Sequence, residues 1–134
     1  MNSETERRIT RLFAGRAASL RLFRLVDDYI ERLGPVEVVP RKTQVGFRRA
    51  RMFAWVWLPQ MWIKKQPESS ITLSFSMDHR VEDPRIKASL EPYPGRFTHH
   101  VVITRASKLD TKVKRWLHTA YALAGRTGRR SRLT

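Results

Sequence analysis

A chain of 134 residues with 41% hydrophobic content is long enough and apolar enough for one domain with a single core, which excludes a disordered polymer. The absence of cysteine excludes a disulfide framework and a thiolate zinc site. The formal charge of +15, from 27 basic and 12 acidic residues, points to polyanions or acidic surfaces as partners.

The excess is unevenly placed. Residues 34–65 carry net +6, residues 97–125 net +4, and the tail 126–134 four arginines without an acid, whereas residues 66–96 carry net −1. The opening MNSETERRITRLF lacks the apolar run of a secretory signal, and no stretch approaches the roughly 20 apolar residues that span a bilayer. A cytoplasmic location without integral membrane association is therefore expected.

Ser3 and Glu6 have the spacing of a capping box, and Ile9, Leu12 and Phe13 supply a short apolar stripe that Gly15 interrupts. A longer helix is predicted from about Ala17 to Leu33, with Leu20, Phe23, Val26, Ile30 and Leu33 on one face. Gly34–Pro35 stops it.

The period then changes to two. VEVVP reads as a short edge strand ended by Pro40, and TQVGFRR as a strand with Val45 and Phe47 on one face. MFAWVWL is apolar on both faces; strict alternation puts Phe53, Trp55 and Trp57 together, opposite Met52, Ala54, Val56 and Leu58. ITLSFSMD alternates most cleanly, with Ile71, Leu73, Phe75 and Met77 inward and Thr72, Ser74, Ser76 and Asp78 outward. FTHHVVITR adds another strand. The loop DHRVEDPRIKASLEPYPGR is long enough for a short extra element. Modest loops between successive strands favour an antiparallel meander over crossover connections.

The last helix is expected to be capped by Ser107, with Asp110 near its positive end. Leu109, Val113, Trp116, Leu117, Ala120, Tyr121 and Ala124 form the broad stripe of a helix laid on a sheet, and Gly125 closes it. The expected architecture is one α+β domain over residues 1–125: N-terminal helices, an antiparallel sheet of four to five strands, and a C-terminal helix packed on the sheet. Residues 126–134 read as a basic disordered tail.

The pattern Leu33–Phe47 (LGPV, then P-x-K-T-x-V-x-F), EDPR at Glu82–Arg85, and the LD, WL, AY spacing from Leu109 to Tyr121 resemble a family of small bacterial domains catalogued as a domain of unknown function, the one numbered 5655. The similarity spans about residues 13–125 and rests on the order and spacing of these pieces. It implies a single small α+β domain and no catalytic residue or ligand.

RMFAWVWLPQMW places three of the four tryptophans within eight residues. Exposed beside arginines, Trp55 and Trp57 would offer a stacking platform for bases; buried, they would be core, the ordinary fate of large aromatics on a central strand. Arg41, Lys42, Arg48, Arg49, Arg51, Lys64 and Lys65 flank strands and turns, so several could converge at one sheet end on a phosphate. The same charges would also blunt strand edges.

His99 and His100 are neighbours on a strand and point to opposite faces, so they are poorly placed to share a metal. His79 has no ligand spacing. No metal or other cofactor is expected, and no G-x-S-x-G elbow, Walker loop or G-x-G-x-x-G fingerprint suggests catalysis. The leading expectation is a binding domain for a polyanion, foremost nucleic acid. The alternatives are a pocket for a small anionic ligand contacted by Lys42, Arg51, Arg85 and one of His99 and His100, and a homodimer or protein-interaction unit with tryptophan anchors.

Overall fold

Asn2 rather than Ser3 starts the first helix. In the computed structural model, which describes residues 2–59 and 66–126, the Asn2 side chain accepts from the Thr5 backbone N–H at 2.8 Å, and α1 runs Ser3–Leu12. An asparagine already in extended conformation supplies the cap one residue earlier than the expected box. Glu6 is engaged instead by Arg24 of the second helix.

Helix α2 spans Ala17–Leu33, as its apolar spacing predicts. Its buried Ser19 donates to the Ser70 carbonyl at 2.7 Å, which ties the start of the helix to the loop entering the fourth strand. Gly34 ends it at φ 148°, ψ −164°, a region open essentially to glycine alone. A Cβ there would also collide with the Tyr121 hydroxyl, which donates to the Pro35 carbonyl at 3.1 Å.

Six strands follow: β1 Glu37–Pro40, β2 Gln44–Arg48, β3 Met52–Trp57, β4 Ile71–Met77, β5 Ile86–Tyr93 and β6 Arg96–Ile103. All neighbouring pairs are antiparallel, in the order β1-β2-β3-β4-β6-β5. The predicted meander therefore holds as far as β4. The chain then travels to the far edge as β5 and returns as β6 between β4 and β5.

Strand β5 is the sixth strand, beyond the four to five expected. It lies in the segment that reads as a charged, proline-containing loop, because it is an edge strand paired on one side only, with Leu90 and Tyr93 exposed. Register shifts between Ile86 and Ala88 and between Leu90 and Tyr93 blur its period of two.

A bulge also corrects the predicted faces of β3. Phe47 pairs with Ala54 but Arg48 with Met52, so Phe53 is the extra residue. Phe53 turns to the helices and meets Tyr121 edge-on at 5.6 Å between ring centroids, while Met52 shares the opposite face with Trp55 and Trp57. The expected grouping of Phe53 with the two tryptophans fails for this reason.

After the 3-10 turn Ala106–Lys108, α3 spans Thr111–Ala124. Its cap is Asp110, which accepts from the Val113 N–H at 3.1 Å; Ser107 lies inside the preceding turn and does not cap it. The predicted stripe from Leu109 to Ala124 is buried throughout. Phe75 of β4 stacks on Trp116 at 5.2 Å, and Phe47 of β2 on Phe23 of α2 at 6.2 Å. The core thus fills the layer between the helices and one face of the sheet. Among the described residues no helix is long and apolar enough to cross a membrane.

Candidate functional site

Among the described residues no helix lies on the opposite face of the sheet, yet that face is not a flat polar surface. Thr72, Ser74 and Ser76, expected to point outward, do so and are nonetheless buried. The cause is the height of their neighbours. Trp57 leans over β4 and donates its indole N–H to Ser74 Oγ at 2.9 Å, and Gln66 accepts from Thr72 Oγ1 at 2.9 Å. Gly46 on β2 makes room for Met52 and Trp55 on the same face, since a Cβ there would run into the Met52 terminal methyl and lie 3.4 Å from Trp55 Cδ1.

Small side chains on β4 and β6 between large ones on β3 and β5 make a trench of about 480 Å³. Trp55 and Trp57, both half-buried, form one wall, and Leu90, Pro92 and Tyr93 of β5 form the other. Ser74, Ser76, Thr98 and His100 form the floor. Three strand spacings separate the walls, about 14 Å between strand axes.

The floor is uncharged. Ser74 Oγ, which accepts the Trp57 N–H, also shares a hydrogen bond with His100 Nδ1 at 2.5 Å. Burial, with a smaller effect of His99, lowers the His100 pKa to about 4, so the imidazole is neutral at physiological pH. His99 points the other way. It stacks on Phe75 at 5.1 Å and accepts from the Val81 N–H at 2.9 Å, a core histidine on the helix side.

Among the described residues, charge enters the trench at one end, from Arg51 and Arg96, and no acidic side chain lines it. Arg51 donates to the Arg126 carbonyl at 3.1 Å, and its pKa is lowered by burial and then by the nearby charges of Arg96 and Arg126. Asp78, the acid that opposes this crowding, is hydrogen-bonded to His79 at 2.8 Å.

Of the basic residues singled out in the sequence, the described ones fall in two groups at opposite ends of the sheet. Arg41 and Lys42 lie at the β1–β2 turn, beside Arg8 and Arg11 of α1. Arg48, Arg49 and Arg51 lie at the β2–β3 turn, a strand length of about 17 Å away. Lys64 and Lys65 lie outside the described residues, as does the tail from residue 127.

Arg48 pairs with Glu37 at 3.0 Å. Arg49 lies 4.0 Å above the Tyr121 ring and donates to the Tyr121 carbonyl at 3.0 Å, while the Ala50 N–H donates to the Ala124 carbonyl at 3.1 Å. The β2–β3 turn therefore caps the carbonyl end of α3, where cations are favoured.

Arg85 is held away from the trench. It bonds Asp83 at 3.3 Å and Asp110 at 2.7 Å, and its guanidinium lies 5.4 Å from the Trp116 ring centroid. Lys112 completes the cluster on Asp83 at 2.8 Å. Of the sequence candidates, the trench unites Arg51, Trp55, Trp57 and His100. Sequence reasoning missed Arg96 and Tyr93; the signal was the PYPGR turn, whose Tyr93–Arg96 pair closes the β5–β6 hairpin. Among the described residues no group of three or more His, Asp or Glu could hold a metal ion.

Three helices on one face of a six-stranded antiparallel sheet, with the last helix packed on the sheet and a trench on the bare face, define a small α+β domain. The chain belongs to the family described as Domain of unknown function (DUF5655), whose model matches residues 9–124. No curated protein and no solved structure matches it. The sequence pieces that carry the resemblance fall on joints of the fold. Gly34–Pro35 seats Tyr121, Thr43 receives the Leu58 N–H, and EDPR clasps the start of α3.

Proposed function

We propose that the domain is a cytoplasmic binding module for a polyanion, foremost nucleic acid, acting through the helix-free face of the sheet. The observation that carries this reading is the placement of Trp55 and Trp57, half-buried on that face, in a trench whose charged lining consists of Arg51 and Arg96. Arginine forks bind phosphate, and counterion release then makes affinity fall steeply with salt. The trench volume also favours a second reading, a small anionic ligand, because about 480 Å³ lies within the range of small-molecule sites.

The experiment is binding of labelled oligonucleotides at several salt concentrations, with and without residues 126–134. Binding by the shortened chain that weakens as salt rises supports the reading. Binding that vanishes with the tail, or no binding at all, overturns it.

A further inference from the structure

We infer that the trench seats an unpaired base of a single-stranded nucleic acid, flat against the β3 indoles, with the flanking phosphates at Arg51 and Arg96. This rests on the reading above and narrows it to strands whose bases are free.

The shape argues for a flat, neutral group inside and an anionic one at the mouth. The walls are aromatic or apolar, the floor offers the Ser76 and Thr98 hydroxyls and a neutral His100, and both positive charges sit at one end. A base has a π-face for Trp55 and Trp57 and polar edges for the floor, and its phosphate lies a few ångströms away. A duplex keeps its bases stacked inside and could reach only the arginines. Tyr93, 63% exposed on the opposite wall beside Arg96, offers a second aromatic face at the charged end of the trench.

The test compares three labelled probes of equal length: single-stranded oligothymidylate, an abasic strand with the same phosphates, and a duplex. Binding is read by anisotropy and by quenching of tryptophan emission. The single strand is expected to bind at least about tenfold more tightly than the abasic strand and to quench emission. Trp55→Ala is expected to remove most of that difference. Tyr93→Ala, which alters an exposed side chain and leaves the core untouched, is expected to reduce it severalfold if the first variant fails to fold.

Equal affinity for the abasic and normal strands, with unchanged emission, overturns base seating and leaves the polyanion reading standing. Tighter binding of the duplex does the same. If no probe binds and the mass rises with protein concentration, both readings fall and the trench faces a second copy of the chain.

Discussion

Arg85 Nη1 lies 2.7 Å from Asp110 Oδ2, and this contact joins two segments that are far apart in the chain, the β4–β5 loop and the cap of α3. Asp110 serves both ends at once, since its other oxygen accepts from the Val113 N–H at 3.1 Å. Asp110→Ala is expected to cost about 1–2 kcal/mol through loss of the cap. Asp110→Asn keeps a capping oxygen and loses the ion pair, which is half-exposed, and is expected to cost only a few tenths of that range. Urea denaturation midpoints separate the two, and equal losses would show that the charge, not the cap, holds the loop.

Gly34 and Tyr121 give a second test. Gly34→Ala combines a backbone conformation closed to alanine with a collision on the Tyr121 hydroxyl, and is expected to cost about 2–3 kcal/mol. Tyr121→Phe loses one hydrogen bond to Pro35, about 1 kcal/mol. The double variant is expected to be less destabilised than the two losses added together, because the collision disappears with the hydroxyl. Additive losses would place the whole cost in the backbone.

The pH dependence follows from groups that titrate in opposite senses. Asp27, buried on α2, has its pKa raised to about 8 by burial and by the neighbouring Glu31 and Asp28, so folding retains a proton there that the unfolded chain releases above 3.8. Stability therefore falls as pH rises through that window, by up to about 1.4 kcal/mol per unit for one proton. His100, and His99 in the same direction, have lowered values, so the unfolded chain binds protons first and stability falls as pH drops from 6.5 toward 4. Between 4 and 6.5 the two slopes oppose; between 6.5 and 8 Asp27 acts unopposed. Asp27→Asn is expected to abolish the loss of melting temperature from pH 6.5 to 8 and to steepen the loss below 6.5. Profiles that stay parallel would sink this assignment.

The clasp adds a further acid limit. Asp83 is held at about 2, chiefly by Lys112 and the Arg85 N–H, and Asp110 is lowered by the Val113 N–H and by Arg85. Their stabilisation is complete above the ordinary carboxylate value and is lost as pH falls toward 2. Lys112→Met is expected to move the acid unfolding midpoint upward, which circular dichroism at stepped pH would read.

Between the arginines of the β2–β3 turn and Arg96 at the start of β6, stability and binding are expected to separate. Arg49→Ala loses the contact over Tyr121 and the α3 cap and is expected to cost about 1–2 kcal/mol. Arg48→Ala, an exposed pair with Glu37, is expected to change stability by less than about 0.5 kcal/mol. Arg96→Ala is expected to leave the melting temperature in place and weaken oligonucleotide binding severalfold, with a shallower salt slope. Unchanged binding by Arg96→Ala would remove the trench mouth from the interface.

Most of the fold was legible because burial follows period. The stripes of α2 and α3 and the stop at Gly34 survive in the structure, and the side chains of β4 alternate between faces as read although every residue of that strand is buried. What escaped depended on a neighbour rather than on the strand itself. One inserted residue at Phe53 reverses a face, and an edge strand paired on one side shows little of the apolar signature of an inner one. The serines and threonine of β4 read as solvent-facing, since nothing in their own spacing reveals that Trp57 and Gln66 cover them. The site was half legible: aromatic and basic residues were picked out, but the topology decided that Arg51 joins Arg96 across the sheet and that Arg49 turns to Tyr121.

The insertion of β6 between β4 and β5 has a kinetic consequence. Strands β5 and β6 are joined by a tight turn at Pro94–Gly95, and β2 and β3 by a short one, so each ladder is a local hairpin of the kind that closes in about 1–10 μs. The two walls of the trench thus belong to separate local hairpins, and β4 is the seam that joins them. The cavity exists only once that seam has closed. A ligand that binds the trench would bind the completed sheet alone and so would stabilise the folded chain by mass action.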